Sequence, residues 1–235
     1  MIPLIRINNR RRNIEFYKET LGLKVLLEEG AFVDLGDKEG NIGLRLQEAP
    51  GTYAHKVRGP KRLVSIVLKA SDPKQVVALL ARTPQLEKIY QGQKGWGFEV
   101  LSPEGDRFVL HAEDSLEDLR EVELRPPLEV EDRPEYTLTS WTLERMTIRT
   151  PDVEGTKAFY HSFDSQGSIH IIEGQGQDLQ TEDLIWDLST IFFSKLGQER
   201  LDAYEKLLTT PYYREKRGRF IQTEDPNHIE IWLER

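Results

Sequence analysis

Cysteine is absent from the 235-residue chain, which removes disulfides, thiolate metal sites and a cysteine nucleophile by inventory alone. No apolar run approaches the roughly 20 residues that a membrane-spanning helix needs. The segment from Met1 to Asn13 places its arginines after a short apolar stretch, the wrong order and length for a secretory signal, so the expected location is the cytoplasm. A basic surplus is missing too. The net charge of −8 argues against a nucleic-acid partner, because neutralising phosphates requires a basic surface. Local clusters at Arg10 to Arg12, Lys56 to Arg62 and Arg214 to Arg219 read as solvated loops and helix starts. What is present is a globular composition, 38% hydrophobic and 31% charged, on a chain long enough for two domains.

Hydrophobic periodicity gives the order of elements. Ile2 to Asn8 alternates as a strand, Asn9 or Asn13 offers a helix cap, and Ile14, Phe16, Tyr17 and Leu21 follow at helical spacing until Gly22. Strand candidates lie near Leu23 to Glu28, Ala31 to Leu35 and Ile42 to Gln47, which makes the order βαβββ. The same order recurs with strand Leu63 to Ala70, a helix capped by Ser71 with Pro73 in its first turn, and strands near Leu86 to Tyr90, Gly97 to Leu101 and Arg107 to His111. The repeat is about fifty to sixty residues long. From Ala112 to Glu135, ten acids stand against three arginines, with prolines at 126, 127 and 134, and this stretch is the expected domain boundary. The expected division is a first domain over residues 1–113, an acidic linker over 114–137 and a second domain over 138–235. That second domain reads as a trimmed copy: strand Trp141 to Thr150, helix Asp152 to Phe163, strand Ser168 to Glu173, strand Leu184 to Ser194, helix Gln198 to Leu208 and two closing strands.

The segment Ile5 to Leu23 (IRINNRRRNIEFYKETLGL) resembles the opening strand and helix of the vicinal oxygen chelate (VOC), or glyoxalase, superfamily, and Ser102 to Leu110 (SPEGDRFVL) resembles its closing hairpin. Three further segments, His111 to Val122 (HAEDSLEDLREV), Gly174 to Ser189 (GQGQDLQTEDLIWDLS) and Asn227 to Glu234 (NHIEIWLE), are similar to the CppA family. That resemblance implies an α+β fold of paired βαβββ glyoxalase-like modules in curved mixed sheets, followed by a smaller, trimmed C-terminal domain. It also implies the label of a proteinase that degrades complement component three.

In the superfamily two histidines and two glutamates hold one divalent ion. Matched through Phe16 and Tyr17, those positions are occupied by Ile2, Arg45, Ser65 and Val109, none of them a good ligand. No cofactor is therefore expected in the N-terminal domain. Strand alternation then puts Arg6, Arg45, Gln47, Ser65, Lys69, Arg107 and His111 on one concave face, opposite an apolar set of Ile5, Ile7, Leu44, Leu46, Val64, Ile66, Leu68, Phe108 and Leu110. Such a face reads as a cleft for an anionic small molecule or an acidic peptide segment. Its bland counterpart is that these cations pair with carboxylates and fill the cleft. In the C-terminal half Glu230 stands where the superfamily's last glutamate falls, and Asp187 is its candidate partner for a cation.

Protease chemistry leaves no motif. G-x-S-x-G and H-E-x-x-H are absent, and Ser71 to Lys74, the one Ser-x-x-Lys, sits where a helix cap belongs. Three readings stay open: a metal-free binding module, a proteinase acting on complement component three after release without a signal or by lysis, and a metal-dependent enzyme with a C-terminal site. No membrane partner is expected, and a homodimer is compatible with all three.

Overall fold

The computed structural model describes residues 1–123, 136–161, 163–164 and 167–235. The first module is β1 (Ile2–Ile7), α1 (Arg10–Glu19), β2 (Lys24–Glu29), β3 (Phe32–Gly36) and β4 (Ile42–Glu48). The second repeats it as β5 (Leu63–Ala70), α2 (Pro73–Arg82), β6 (Lys88–Gln91), β7 (Trp96–Leu101) and β8 (Arg107–His111). A 3-10 turn (Leu116–Asp118) and a short strand, β9 (Arg120–Val122), occupy the start of the expected linker, whose residues 124–135 lie outside the described residues. A trimmed third module holds β10 (Trp141–Thr150), α3 (Val153–His161) and β11 (Ile169–Glu173). The fourth is complete: β12 (Leu188–Phe193), α4 (Gln198–Leu207), β13 (Tyr212–Arg214), β14 (Phe220–Glu224) and β15 (Glu230–Glu234). β9 and β13 were not expected, since three residues are too few to show a period.

Local chemistry explains the helix boundaries. Asn9 caps α1 by accepting from the Arg12 amide at 3.0 Å, and beyond the helix Gly22, at φ +66°, turns the chain so that the Gly22 and Leu23 amides return to Lys18 and Tyr17 carbonyls. α2 is capped by Asp72 rather than by Ser71. Asp72 accepts from the Lys74 amide at 2.9 Å and immediately precedes Pro73, the position at which proline begins a helix.

The strands form two curved mixed sheets, of eight and seven strands. The chain divides into two compact units, neither contiguous: residues 1–8, 44–64 and 147–235, and residues 9–43 and 65–146. In the first unit the strands run β13-β14-β15-β12-β1-β4. β1 pairs antiparallel with β12 (Ile2 with Phe192, Leu4 with Thr190) and parallel with β4 (Leu4 with Arg45, Arg6 with Gln47). One face of this sheet carries Ile5, Ile7, Leu46, Ile191, Ile221, Ile231 and Leu233, all fully buried. α4 covers that face: Arg214 of β13 pairs with Asp202 and Glu205, and Phe163 stacks on Phe193 and Tyr204 at 6.1 and 5.2 Å. Below it, the buried Asp225 carboxylate accepts from the Asn227 and Ile229 amides and the Tyr160 hydroxyl, fixing the turn into β15.

In the second unit the order is β5-β8-β7-β6-β9, and the β2–β3 hairpin, which ends the eight-stranded sheet, belongs to the same unit. Ile66, Leu68, Phe98, Phe108 and Leu110 are buried there with Val76, Leu79 and Leu80 of α2, and Tyr17 meets Phe108 edge-on at 5.3 Å. The expected apolar set is buried apart from Val64, which is half-buried. Each removed methylene-rich side chain here costs the transfer energy plus a cavity. Gly43 is needed for space, since a Cβ there would stand 2.3 Å from the Trp141 ring. Gly43→Ala should therefore lower stability by about 1–3 kcal/mol in urea unfolding; an unchanged midpoint would contradict this packing.

Candidate functional site

The seven cationic and polar residues expected on one face are divided between two sheets. Arg6, Arg45 and Gln47 lie on β1 and β4, in the eight-stranded sheet, whereas Ser65, Lys69, Arg107 and His111 lie on β5 and β8, in the seven-stranded one. The expected set is thus split, three residues on one sheet and four on the other. Side-chain alternation was read properly within each strand, but β1 takes β12 of the fourth module as its neighbour. The four metal-equivalent positions separate in the same way, Ile2 and Arg45 in one sheet and Ser65 and Val109 in the other.

In the second unit the expected pairs do share a face, Ser65 beside Arg107 and Lys69 beside His111. Their charges are spent internally. Arg107 forms an ion pair with the buried Glu99, which also accepts from the Tyr90 hydroxyl at 3.1 Å. Lys69 donates to the Asp114 carbonyl at 2.7 Å. His111 is fully buried: Nδ1 accepts from the Glu113 amide at 3.2 Å, so the neutral ring carries its proton on Nε2, 2.8 Å from the Glu144 carboxylate. Glu144 acts on the ring first through its charge. Burial pushes the His111 pKa below its ordinary 6.5, against the opposing pull of Glu144 and Glu113 and with help from Lys69. The unfolded chain then binds the proton more readily than the fold does. The stability His111 contributes should be complete above about pH 6.5 and fall as the pH drops below it. Melting of the protein and of His111→Asn from pH 8 to pH 5 checks this: the difference between them should shrink on acidification, and a constant difference would contradict it.

In the first unit the register gathers a different set on the face opposite α4. Ile2, Leu4 and Arg6 of β1 align with Arg45 and Gln47 of β4 on one side, and on the other with Thr190 and Phe192 of β12, then Glu230 and Trp232 of β15 and Phe220 and Gln222 of β14. Arg6 donates from Nε to Gln47 at 3.3 Å. Among the described residues its two terminal nitrogens have neither a hydrogen bond nor an ion pair. Its pKa is depressed, first by burial and then by the neighbouring Arg62, with Glu230 opposing. The Arg45 guanidinium lies 4.8 Å over the Phe192 ring.

Glu230 accepts from Gln222 and, at 3.4 Å, from Thr190. Asp187 does not join it. The Asp187 carboxylate is fully buried and accepts from the amides of Arg62 at 2.8 Å, Leu63 at 3.0 Å and Leu188 at 2.8 Å. Its oxygens are committed to backbone donors, so the expected Asp187–Glu230 cation pair is corrected, and among the described residues no group of three or more acidic or histidine side chains is placed to hold a metal. Sequence reasoning missed Trp232 and Phe220 as members of this face, although their alternation with Ile231 and Ile221 carries the signal. Replacing Asp187 with Asn would turn amide hydrogens toward amide donors, and should cost about 2–4 kcal/mol in chemical unfolding; a loss near zero would contradict the three-amide arrangement.

Family profiles described as CppA N-terminal and CppA C-terminal match residues 1–122 and 138–233. The chain belongs to the CppA family. The crystal structure of the cppA protein from Streptococcus pneumoniae is 36% identical, over 99% of this CppA-family chain and 96% of that one, with a TM-score of 0.87. Two more distant structures share the fold alone. A maize glyoxalase I mutant is 14% identical over 99% of this chain and 90% of that one, at a TM-score of 0.60. A putative dioxygenase from Bacillus subtilis is 13% identical over 99% and 83%, at 0.59. No functionally curated protein matches the chain. Among the described residues of the CppA-family chain, the histidine side-chain hydrogen bonds and ion pairs go to carboxylates and backbone groups. No helix described is long and apolar enough to cross a membrane.

Proposed function

We propose that this CppA-family protein is a binding module, and that its site is the face of the first unit bearing Arg6, Arg45 and Gln47, where an anionic group of a small molecule or an acidic peptide binds. The observation that carries this is Arg6. A partly desolvated guanidinium with unengaged terminal nitrogens has lost hydration without gaining an ionic partner, and an incoming carboxylate or phosphate recovers that cost through two charge-assisted hydrogen bonds. Arg45, held over Phe192, adds positive potential at the same end. The set on β5 and β8 contributes less, because Glu99 and Glu144 already stand against Arg107 and His111.

The test is a thermal-shift series with citrate, phosphate and an oligoglutamate peptide on the protein, Arg6→Met, Arg45→Met and Arg107→Met. A stabilising anion should raise the melting temperature of the parent and of Arg107→Met by several degrees, and should shift Arg6→Met by less than half as much. Equal shifts in all four proteins would sink the reading. Cleavage of complement component three, assayed with and without chelator beside a mock purification, belongs to the same experiment as the reading carried by the family label.

A further inference from the structure

Granting Arg6 as the anion contact proposed above, we infer that the ligand is an aromatic or otherwise planar unsaturated anion, with its ring system held along a row of side chains that crosses the same face.

The row runs strand by strand. Tyr213 of β13 is followed by Phe220 of β14 at 6.1 Å between centroids, Phe220 by Trp232 of β15 at 4.7 Å, and Trp232 by Phe192 of β12 at 6.0 Å. The last two pairs are inclined by only 32° and 34°, so each ring is tilted moderately from its neighbour. The Arg45 guanidinium closes the inner end at 4.8 Å from Phe192. Such a row is not what a helix-covered core requires. The helix-facing positions on these strands are Ile221, Ile231, Ile191 and Leu233, all fully buried, while on the opposite face Phe220 and Trp232 stay half-buried, Tyr213 is 54% exposed and Phe192 is buried. Three half-open or open rings on the face opposite α4 are an unusual use of aromatic surface for a soluble fold, where large side chains are otherwise drawn inward.

The chemistry of the row selects its occupant. Aromatic rings attract other π systems edge-on or offset beyond what area burial gives, and a saturated ring of the same size gains the burial without that extra. Arg45 lies over Phe192, and Arg6 stands further along β1, past the Leu4–Thr190 pair, so the anionic group belongs on that side of Phe192 and the ring extends toward Trp232 and Phe220. Gln222 and Thr190 fix the Glu230 carboxylate between the two regions, which disfavours a second negative charge on the distal part of the ligand.

Isothermal titration with 2-naphthoate and with its saturated counterpart decahydro-2-naphthoate, equal in charge and similar in size, tests this. The unsaturated acid should bind about fivefold more tightly to the parent protein. That ratio should fall toward one in Trp232→Leu, or in Phe220→Leu where the tryptophan variant does not fold. Arg6→Met should weaken both acids by tenfold or more. Equal affinity for the two acids, lost together in Arg6→Met, would overturn the ring assignment and leave the anion site standing. A preference that survives Trp232→Leu and Phe220→Leu overturns the row as its source. Failure of both acids to bind, or binding that Arg6→Met leaves unchanged, overturns the anion site and the ring assignment together.

Discussion

The buried carboxylate of Asp187 is the constraint on which the first unit depends. Its oxygens take the amides of Arg62, Leu63 and Leu188, and its own carbonyl takes the Arg6 amide at 3.0 Å. One residue thereby sets where β12 begins, where the chain enters β5 and where β1 lies against β12. A buried charge is tolerated because several amide dipoles converge on it, and removing any of them exposes the full desolvation cost. Because Arg6 is tied at its backbone to this point, the direction of its side chain follows from the same arrangement.

The two sheets treat positive charge in opposite ways. On β8, Arg107 has Glu99 on the neighbouring strand, and His111 has Glu144 within reach and a backbone amide on its other nitrogen. These cations complete the fold's own polar inventory. On β1, Arg6 has only the neutral Gln47 as a hydrogen-bond partner, and its charged surroundings are divided between another cation, Arg62, and the carboxylate of Glu230, which makes no ion pair with it among the described residues. A neutral acceptor compensates a desolvated guanidinium less than a carboxylate does. The eight-stranded sheet therefore keeps the less compensated cations, although both sets look alike in sequence.

Much of the fold was legible. The span from Ile2 to Gln47 announced βαβββ through alternation, a cap at Asn9 or Asn13 and the Gly22 stop, and the strands near 97–101 and 107–111 fell where their patterns put them. The Glu99 carboxylate that meets Arg107 was not singled out, although both lie on the same face of one hairpin, with Glu99 opposite Val109 and Arg107 opposite Leu101. Other features had no local signal. β9 and β13 are three residues each, the choice of Asp72 over Ser71 as cap depends on one residue of register, and Asp187 looks in sequence like any acid near a strand.

By itself the sequence determined the chemistry that is excluded for want of cysteine, the family, the order of modules, and which side of each strand a residue occupies. Those follow from inventory and from a period of two that belongs to a single strand. Only the tertiary structure decided which strands are neighbours, and so which residues share a sheet face: Arg6 and Arg45 with Thr190, Phe192 and Trp232. The physical reason is that strands pair through backbone amides and carbonyls, which are the same at every position. Side-chain alternation orients a strand toward a face but leaves its partner to be chosen by the packing of the whole chain.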